Sequence, residues 1–197
     1  MMKINIVYSW LLPARITAAM LILPIAVAAW SDDSQIWEAV KTDGHIALLR
    51  HALAPGTGDP PAFQLDDCTT QRNLSDQGRA QAKQIGDRFR ENGIPAAEVY
   101  SSQWCRCLDT AALLSLGKVK QLEAINSFFQ NFERREEQTA SLEKWIRSRT
   151  LNEPVVLITH QVNITALTGN FAAAGELIVV RVPEGAPLEV VGTLQTN

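Results

Sequence analysis

Apolar and polar positions along the chain fall into blocks of two periods. "HIALLR" (45–50) holds four apolar residues in a row, Ile46 to Leu49, then stops on Arg50-His51 before a stretch of Pro and Gly. A continuous apolar run of this length predicts a parallel strand covered on both faces. "PVVLITH" (154–160) repeats the pattern and also ends on histidine. "EVYSS" (98–102) and "KVKQLE" (118–123) read as shorter strands. "ELIVVRV" (176–182) and "LEVV" (188–191) read as a closing hairpin with its turn in 183–187. Between the strands the spacing turns helical. In "SDQGRAQAKQIGDRFRENG" (75–93) Ala82, Ile85 and Phe89 share a face, Ser75 caps, Asp76 favours the first turn and Asn92-Gly93 ends the helix. Further helices are predicted at 36–41, at 104–117 with Gly117 as the stop, at 133–149 with Leu142, Trp145 and Ile146 inward, and at 161–170. Residues 52–73 form a loop rich in Pro, Gly, Asp and Thr, and loops of that length in compact domains are usually functional.

Strands alternating with helices predict an α/β three-layer sandwich around a mostly parallel sheet, formed by one domain over residues 36–197. Ligands of such sheets bind beyond the carboxyl ends of the strands. Three of those ends carry Arg50-His51, Ser101-Ser102 leading to Arg106, and Thr159-His160. Two arginines converging with two histidines suit a tetrahedral oxyanion, above all phosphate. The guanidinium fork matches phosphate oxygens in charge and shape. A neutral imidazole can attack phosphorus, and a second can steady charge on the equatorial oxygens. No Walker loop or dinucleotide fingerprint is present, which leaves nucleotide-dependent transfer without support.

The first 28 residues change the picture of where this happens. Lys3 and Arg15 are their only charges, and "ITAAMLILPIAVAAW" (16–30) is apolar, with small residues at its end. This predicts a secretory signal peptide over 1–28, cleaved after Ala28 or Ala29, because the run is shorter than the ~20 residues a spanning helix needs. The mature protein is expected in a bacterial periplasm, without stable membrane insertion. A net charge of −3 and the lack of a basic stripe argue against nucleic acid. Three cysteines, Cys68, Cys105 and Cys107, allow one disulfide in an oxidising compartment, from Cys68 to Cys105 or Cys107. The spacing of Cys and His fits no zinc pattern, and neither metal nor cofactor is expected.

"LLRHA", "SSQWCRCLDTA" and "VVLITHQVNITALTG", with "QRNLSDQGRAQAKQIG" between the first two, resemble the histidine phosphatase superfamily, in the branch of phosphoglycerate mutases and small phosphohistidine phosphatases. The resemblance runs from about Gly44 to Val182. It implies a phosphoglycerate-mutase-like fold, His51 as the nucleophile carrying the phosphoryl group, and a phosphate pocket of Arg50, Arg106 and His160. It also implies metal-free hydrolysis of a phosphomonoester. Export points to a phosphorylated envelope sugar such as a lipopolysaccharide core heptose phosphate, or to a small nutrient phosphate. The alternatives are a catalytically weak phosphate-ligand binding protein and a phosphohistidine protein phosphatase. Ala52 replaces the family's glycine after His51. Gln161 replaces the glycine after His160 and is expected to reach the substrate. The family's general-acid Glu falls at Ser127 or Asn126, leaving Glu123, Asp59, Asp66, Asp67, Glu133 or no residue as the acid. Among other residues, His45 reads as structural, and Ser101 and Ser102 as pocket or turn residues. Trp104 reads as helix packing or as a border of the pocket next to Arg106, Phe128 and Phe129 as packing, Arg79, Lys83 and Arg88 as a solvated helix face, and Arg72 as either a phosphate ligand or a surface group.

Overall fold

A computed structural model describes residues 1–3 and 33–196. The expected signal peptide falls almost entirely outside the described residues. Eleven regular elements follow in order: α1 (Asp33–Lys41), β1 (His45–Arg50), α2 (Asp76–Glu91), β2 (Glu98–Ser101), α3 (Cys105–Leu114), β3 (Val119–Gln121), α4 (Arg135–Arg147), β4 (Val155–Thr159), α5 (Gln161–Thr168), β5 (Leu177–Arg181) and β6 (Glu189–Leu194). The strands form one sheet in the order β3-β2-β4-β1-β5-β6. β1, β2, β3 and β4 run parallel, while β5 lies antiparallel to β1 and carries β6 as the closing hairpin. This is the mostly parallel α/β sheet that the apolar runs predict.

Alternation along the strands builds the layers. Ala47, Leu49, Val99, Val156, Ile158, Leu177 and Val179 face a core shared with Ile36 and Trp37 of α1, Ile85 and Phe89 of α2, and Ala111 and Leu114 of α3. Ile46, Leu48, Tyr100, Val155, Leu157, Ile178 and Val180 face the other core, with Leu142 and Ile146 of α4 and Ile164 of α5. β1 and β4 sit at the centre of the sheet, so Arg50-His51 and His160 emerge between both helical layers.

Several boundaries differ from the sequence reading. The described part of α1 runs from Asp33, three residues before the predicted start. α3 ends at Leu114, before Gly117: Ser115 takes the left-handed conformation at φ 53° and ends the helix without glycine. The segment read as one helix from 133 is a 3-10 turn, Phe132–Arg134, running into α4. The long loop carries a 3-10 turn of its own, Cys68–Thr70, capped by the Asp67 side chain. α2 follows expectation, with the Ser75 hydroxyl accepting from Gly78 N at 3.0 Å. Gly78 and Gly86 permit close approach: a Cβ at Gly78 would lie 2.0 Å from Leu53 O, and one at Gly86 2.2 Å from Leu114 O. The first contact seats α2 under the chain that leaves His51; the second seats it on α3.

Candidate active site

A cavity of about 370 Å³ opens beyond the carboxyl ends of β1, β2 and β4. Arg50, His51, Arg106, His160 and Gln161 all line it, as the topology argument expects. Each is delivered by a strand end or the first turn of the following helix. His51 leaves β1, Arg106 is the second residue of α3, and His160 immediately precedes α5.

The imidazoles of His51 and His160 are buried, with ring centroids 5.5 Å apart. His51 Nδ1 lies 2.8 Å from Ala52 O. A carbonyl only accepts, so Nδ1 carries the proton and Nε2 keeps its lone pair. Burial foremost, then the charge of Arg106, pushes the His51 pKa down to about 3. The same two causes hold His160 well below the ordinary imidazole value. Both rings are therefore neutral at neutral pH.

His160 is oriented from behind. Its Nε2 lies 2.8 Å from Ser102 Oγ, which also lies 3.2 Å from Asn126 Oδ1. Its Nδ1 faces Arg106 Nη2 at 3.4 Å. Asn126 also accepts from Gln103 N at 2.9 Å, through the same Oδ1. Asn126, one of the two positions where the resemblance implies a general acid, thus braces the hydroxyl that orients His160. Ser127 lines the cavity, but only as a hydroxyl.

The candidate carboxylates separate. Glu123 lines a different depression, with Arg134 and Glu137. Asp66, Asp67 and Glu133 are not among the cavity residues, so their candidacy as the acid fails on position. Asp67 is instead occupied with Thr69. Asp59 does line the cavity, but its carboxylate is bound to Arg106: Oδ1 to Nη1 at 2.7 Å and Oδ2 to Nη2 at 3.1 Å. Trp104 Nε1 and Arg72 N also donate to it, at 3.0 and 3.2 Å. Burial acts to raise its pKa, but the hydrogen bonds and charge of Arg106 prevail and keep it below the ordinary value. Asp59 is a committed anion and cannot serve as the acid.

Three more residues line the cavity, two whose reading was open and one, Phe129, read as packing. Arg72 is a third arginine of the wall, its Nε donating to Gly58 O at 2.7 Å and its Nη1 to Ala54 O. Trp104 both packs on the core and forms the wall: it stacks on Phe63 at 5.1 Å and meets His160 edge-on. Phe129 lines the cavity, while Phe128 alone is buried packing. Arg88 also departs from a purely solvated role, donating to Gln195 O and lying over Trp37. The Nε atoms of Arg50 and Arg106 are buried and have no hydrogen-bond partner among the described residues. Buried donors are normally paired, so two unpartnered Nε–H donors on cavity-lining arginines suit an anion.

Cys68 and Cys105 form the disulfide, which ties the long loop to the first residue of α3 beside Arg106. Cys107 is free and buried, and burial pushes its thiol up to about 12. Among the described residues no group of three or more His, Cys, Asp or Glu gathers as a metal site, and no helix is long and apolar enough to cross a membrane.

Residues 46–128 match the family model of the histidine phosphatase superfamily (branch 1). Over 74 residues the chain is 38% identical to the mitochondrial serine/threonine-protein phosphatase Pgam5 of Drosophila virilis, a match that covers 38% of this chain and 23% of that protein. Similar solved structures include the protein histidine phosphatase SixA complexed with tungstate (TM-score 0.56, 12% identity, 77% of this chain and 97% of that one). A mycobacterial glucosyl-3-phosphoglycerate phosphatase is also similar (TM-score 0.54, 15% identity, 77% and 98%). So is a phosphoserine phosphatase mutant from Entamoeba histolytica in complex with phosphoserine (TM-score 0.55, 15% identity, 78% and 98%). These likenesses establish the shared fold.

Proposed function

We propose that this chain, which carries the histidine phosphatase superfamily pattern over residues 46–128, is a metal-free phosphomonoesterase acting through a phosphohistidine on His51. The observation that carries the reading is a neutral His51 with its Nε2 lone pair free, set among three arginines. Arg50, Arg72 and Arg106 less the one carboxylate of Asp59 leave a balance of +2, which complements a phosphomonoester dianion. In the first step His51 Nε2 forms a bond to phosphorus while the bond to the departing oxygen breaks. The arginines take the charge on the three equatorial oxygens. His160 shares that role. In the tautomer whose Nε2 accepts from the Ser102 hydroxyl, Nδ1 carries the ring proton and can donate it to a phosphate oxygen. Water then displaces phosphorus from His51, giving inorganic phosphate and restoring the imidazole.

The wall around this centre suits a polyhydroxylated substrate. Gln130, Asn131 and Gln161 supply amides, Thr57 and Ser127 hydroxyls, and Trp104 and Phe129 apolar faces. This favours a sugar phosphate, and with the leader at 1–28 we propose an exported, periplasmic enzyme acting on an envelope sugar such as lipopolysaccharide core heptose phosphate. One observation favours a second reading: no free carboxylate among the described residues faces the departing atom. A phosphohistidine protein substrate has a leaving group that needs little acid help. A binding protein that turns nothing over needs none.

Hydrolysis of p-nitrophenyl phosphate with EDTA present, beside His51→Ala, tests the reading. Turnover lost in the variant supports it. No turnover with vanadate still bound favours the binding protein. An alkaline phosphatase fusion after residue 40 tests export, and an inactive fusion contradicts it.

A further inference from the structure

Asp59 stands at the junction of three parts of the wall. Its carboxylate takes both terminal nitrogens of Arg106 from α3, the indole of Trp104 and the backbone of Arg72. Its carbonyl accepts from Gln130 of the 126–134 segment at 3.4 Å. The ion pair is enclosed, with 3% of the Arg106 side chain and 7% of the Asp59 side chain exposed. A guanidinium offers five N–H groups on three edges. Asp59 holds the edge made by Nη1 and Nη2, and Nη1 also donates to Arg72 O at 3.4 Å. The edge left over is Nε with the second proton of Nη2. That Nη2 lies 3.4 Å from His160 Nδ1, and Nε is the buried atom without a partner among the described residues.

We propose that Asp59 is the positioning residue of this site: it grips the outer edge of Arg106, so that the guanidinium meets the transferring phosphoryl group through its Nε edge, beside His160. The inference rests on the phosphatase reading above. It gives Asp59 no proton transfer and no contact with substrate. A carboxylate that makes two arginine contacts fixes both the plane and the rotation of the guanidinium, which a loop carbonyl alone cannot do. Preorganised donors help most where charge develops, so the effect belongs to the transition state more than to substrate binding.

The test uses the full purified chain with Asp59→Asn, Asp59→Glu and, as a control, Asp67→Asn, which alters only the cap of the loop's 3-10 turn. Melting curves establish that each variant is folded. In Asp59→Asn, kcat for p-nitrophenyl phosphate is expected to fall roughly 10- to 100-fold, with KM changed by less than about 3-fold. Affinity for vanadate should fall by about the factor seen in kcat. Asp59→Glu restores the charge one methylene further out and should recover part of kcat; Asp67→Asn should leave it unchanged. If Asp59→Asn binds vanadate more tightly, the carboxylate is a competitor on the arginine, and the proposal is overturned. A lower melting temperature with unchanged kcat and KM overturns it too, leaving Asp59 as a loop tie. Should Asp59→Asn not fold, the kcat of Asp59→Glu decides, an unchanged value counting against the clamp. If the unsubstituted chain turns nothing over, the phosphatase reading fails by itself, and the vanadate titrations still decide what Asp59 does.

Discussion

Replacing His51 by Ala removes the proposed nucleophile, and turnover is expected to fall by roughly a thousandfold or more, with vanadate binding largely kept. Steady-state assays beside a vanadate titration check this. Arg72→Ala should behave differently. It removes a charge-assisted donor from the wall but leaves the nucleophile, so kcat/KM for a monoester dianion should drop roughly 10- to 100-fold. Among the described residues the cavity holds no carboxylate besides the ion-paired Asp59, so under the proposed mechanism the departing group leaves largely on its own acidity. Across a series of aryl phosphates kcat/KM should therefore fall steeply as the leaving group's pKa rises; a flat series would show that an acid is at work. The sequence made Arg50, His51, Arg106 and His160 legible, because each stands where an apolar run or a helix start must surface. It left Arg72, Trp104 and Asp59 obscure. These lie on or beside an irregular loop, where no period fixes which way a side chain points. Asp59 was visible as a carboxylate, but its role depends on Arg106 lying against it, a contact between residues 47 positions apart.

At the scale of elements, the site depends on how closely α2 can approach. Gly78→Ala would force a Cβ onto the carbonyl of Leu53, two residues beyond His51. A loss of about 1–3 kcal/mol in a denaturant melt is expected, with a fall in any activity that depends on His51, because the chain leaving it must shift. The faces of α2 were legible from the spacing of Ala82, Ile85 and Phe89, all of which are buried. The end of α3 was not, because Ser115 adopts a backbone usually reserved for glycine. The choice between Cys105 and Cys107 for the disulfide was open in sequence, and direction settles it: Cys105 meets Cys68 of the loop, whereas Cys107 turns under the helix, with its Sγ 3.7 Å from Thr159 O. The bridge closes a separation of 37 residues, and its reduction should lower stability by about 2–4 kcal/mol.

Over the whole molecule the two neutral imidazoles set a pH dependence. An unfolded histidine protonates near 6.5, whereas His51 in the fold resists protonation until about 3 and His160 is shifted the same way. Between those values the unfolded chain binds more protons, so stability falls as pH falls through this window. Asp59 adds to the trend, because its depressed pKa makes its stabilisation fade as pH drops through the folded value. Melting temperatures are expected to decline steadily from pH 7 to pH 4.5, and His51→Asn should flatten the curve. A profile without slope would contradict the burial of the rings.

The disulfide beside Arg106 also has a consequence for fidelity during biogenesis. While the chain is unfolded, Cys107 competes with Cys105 for Cys68 on nearly equal terms, since the two are neighbours but one. Only docking of α3 on the sheet hides the wrong thiol and presents the right one. Correct oxidation must therefore follow docking, and a bridge formed too early would bury the error beside Arg106. Refolding of the fully reduced chain under rapid oxidation should yield a trapped, mispaired fraction that is absent from Cys107→Ser. Tertiary structure then acts as the proofreader of the chain's own covalent chemistry.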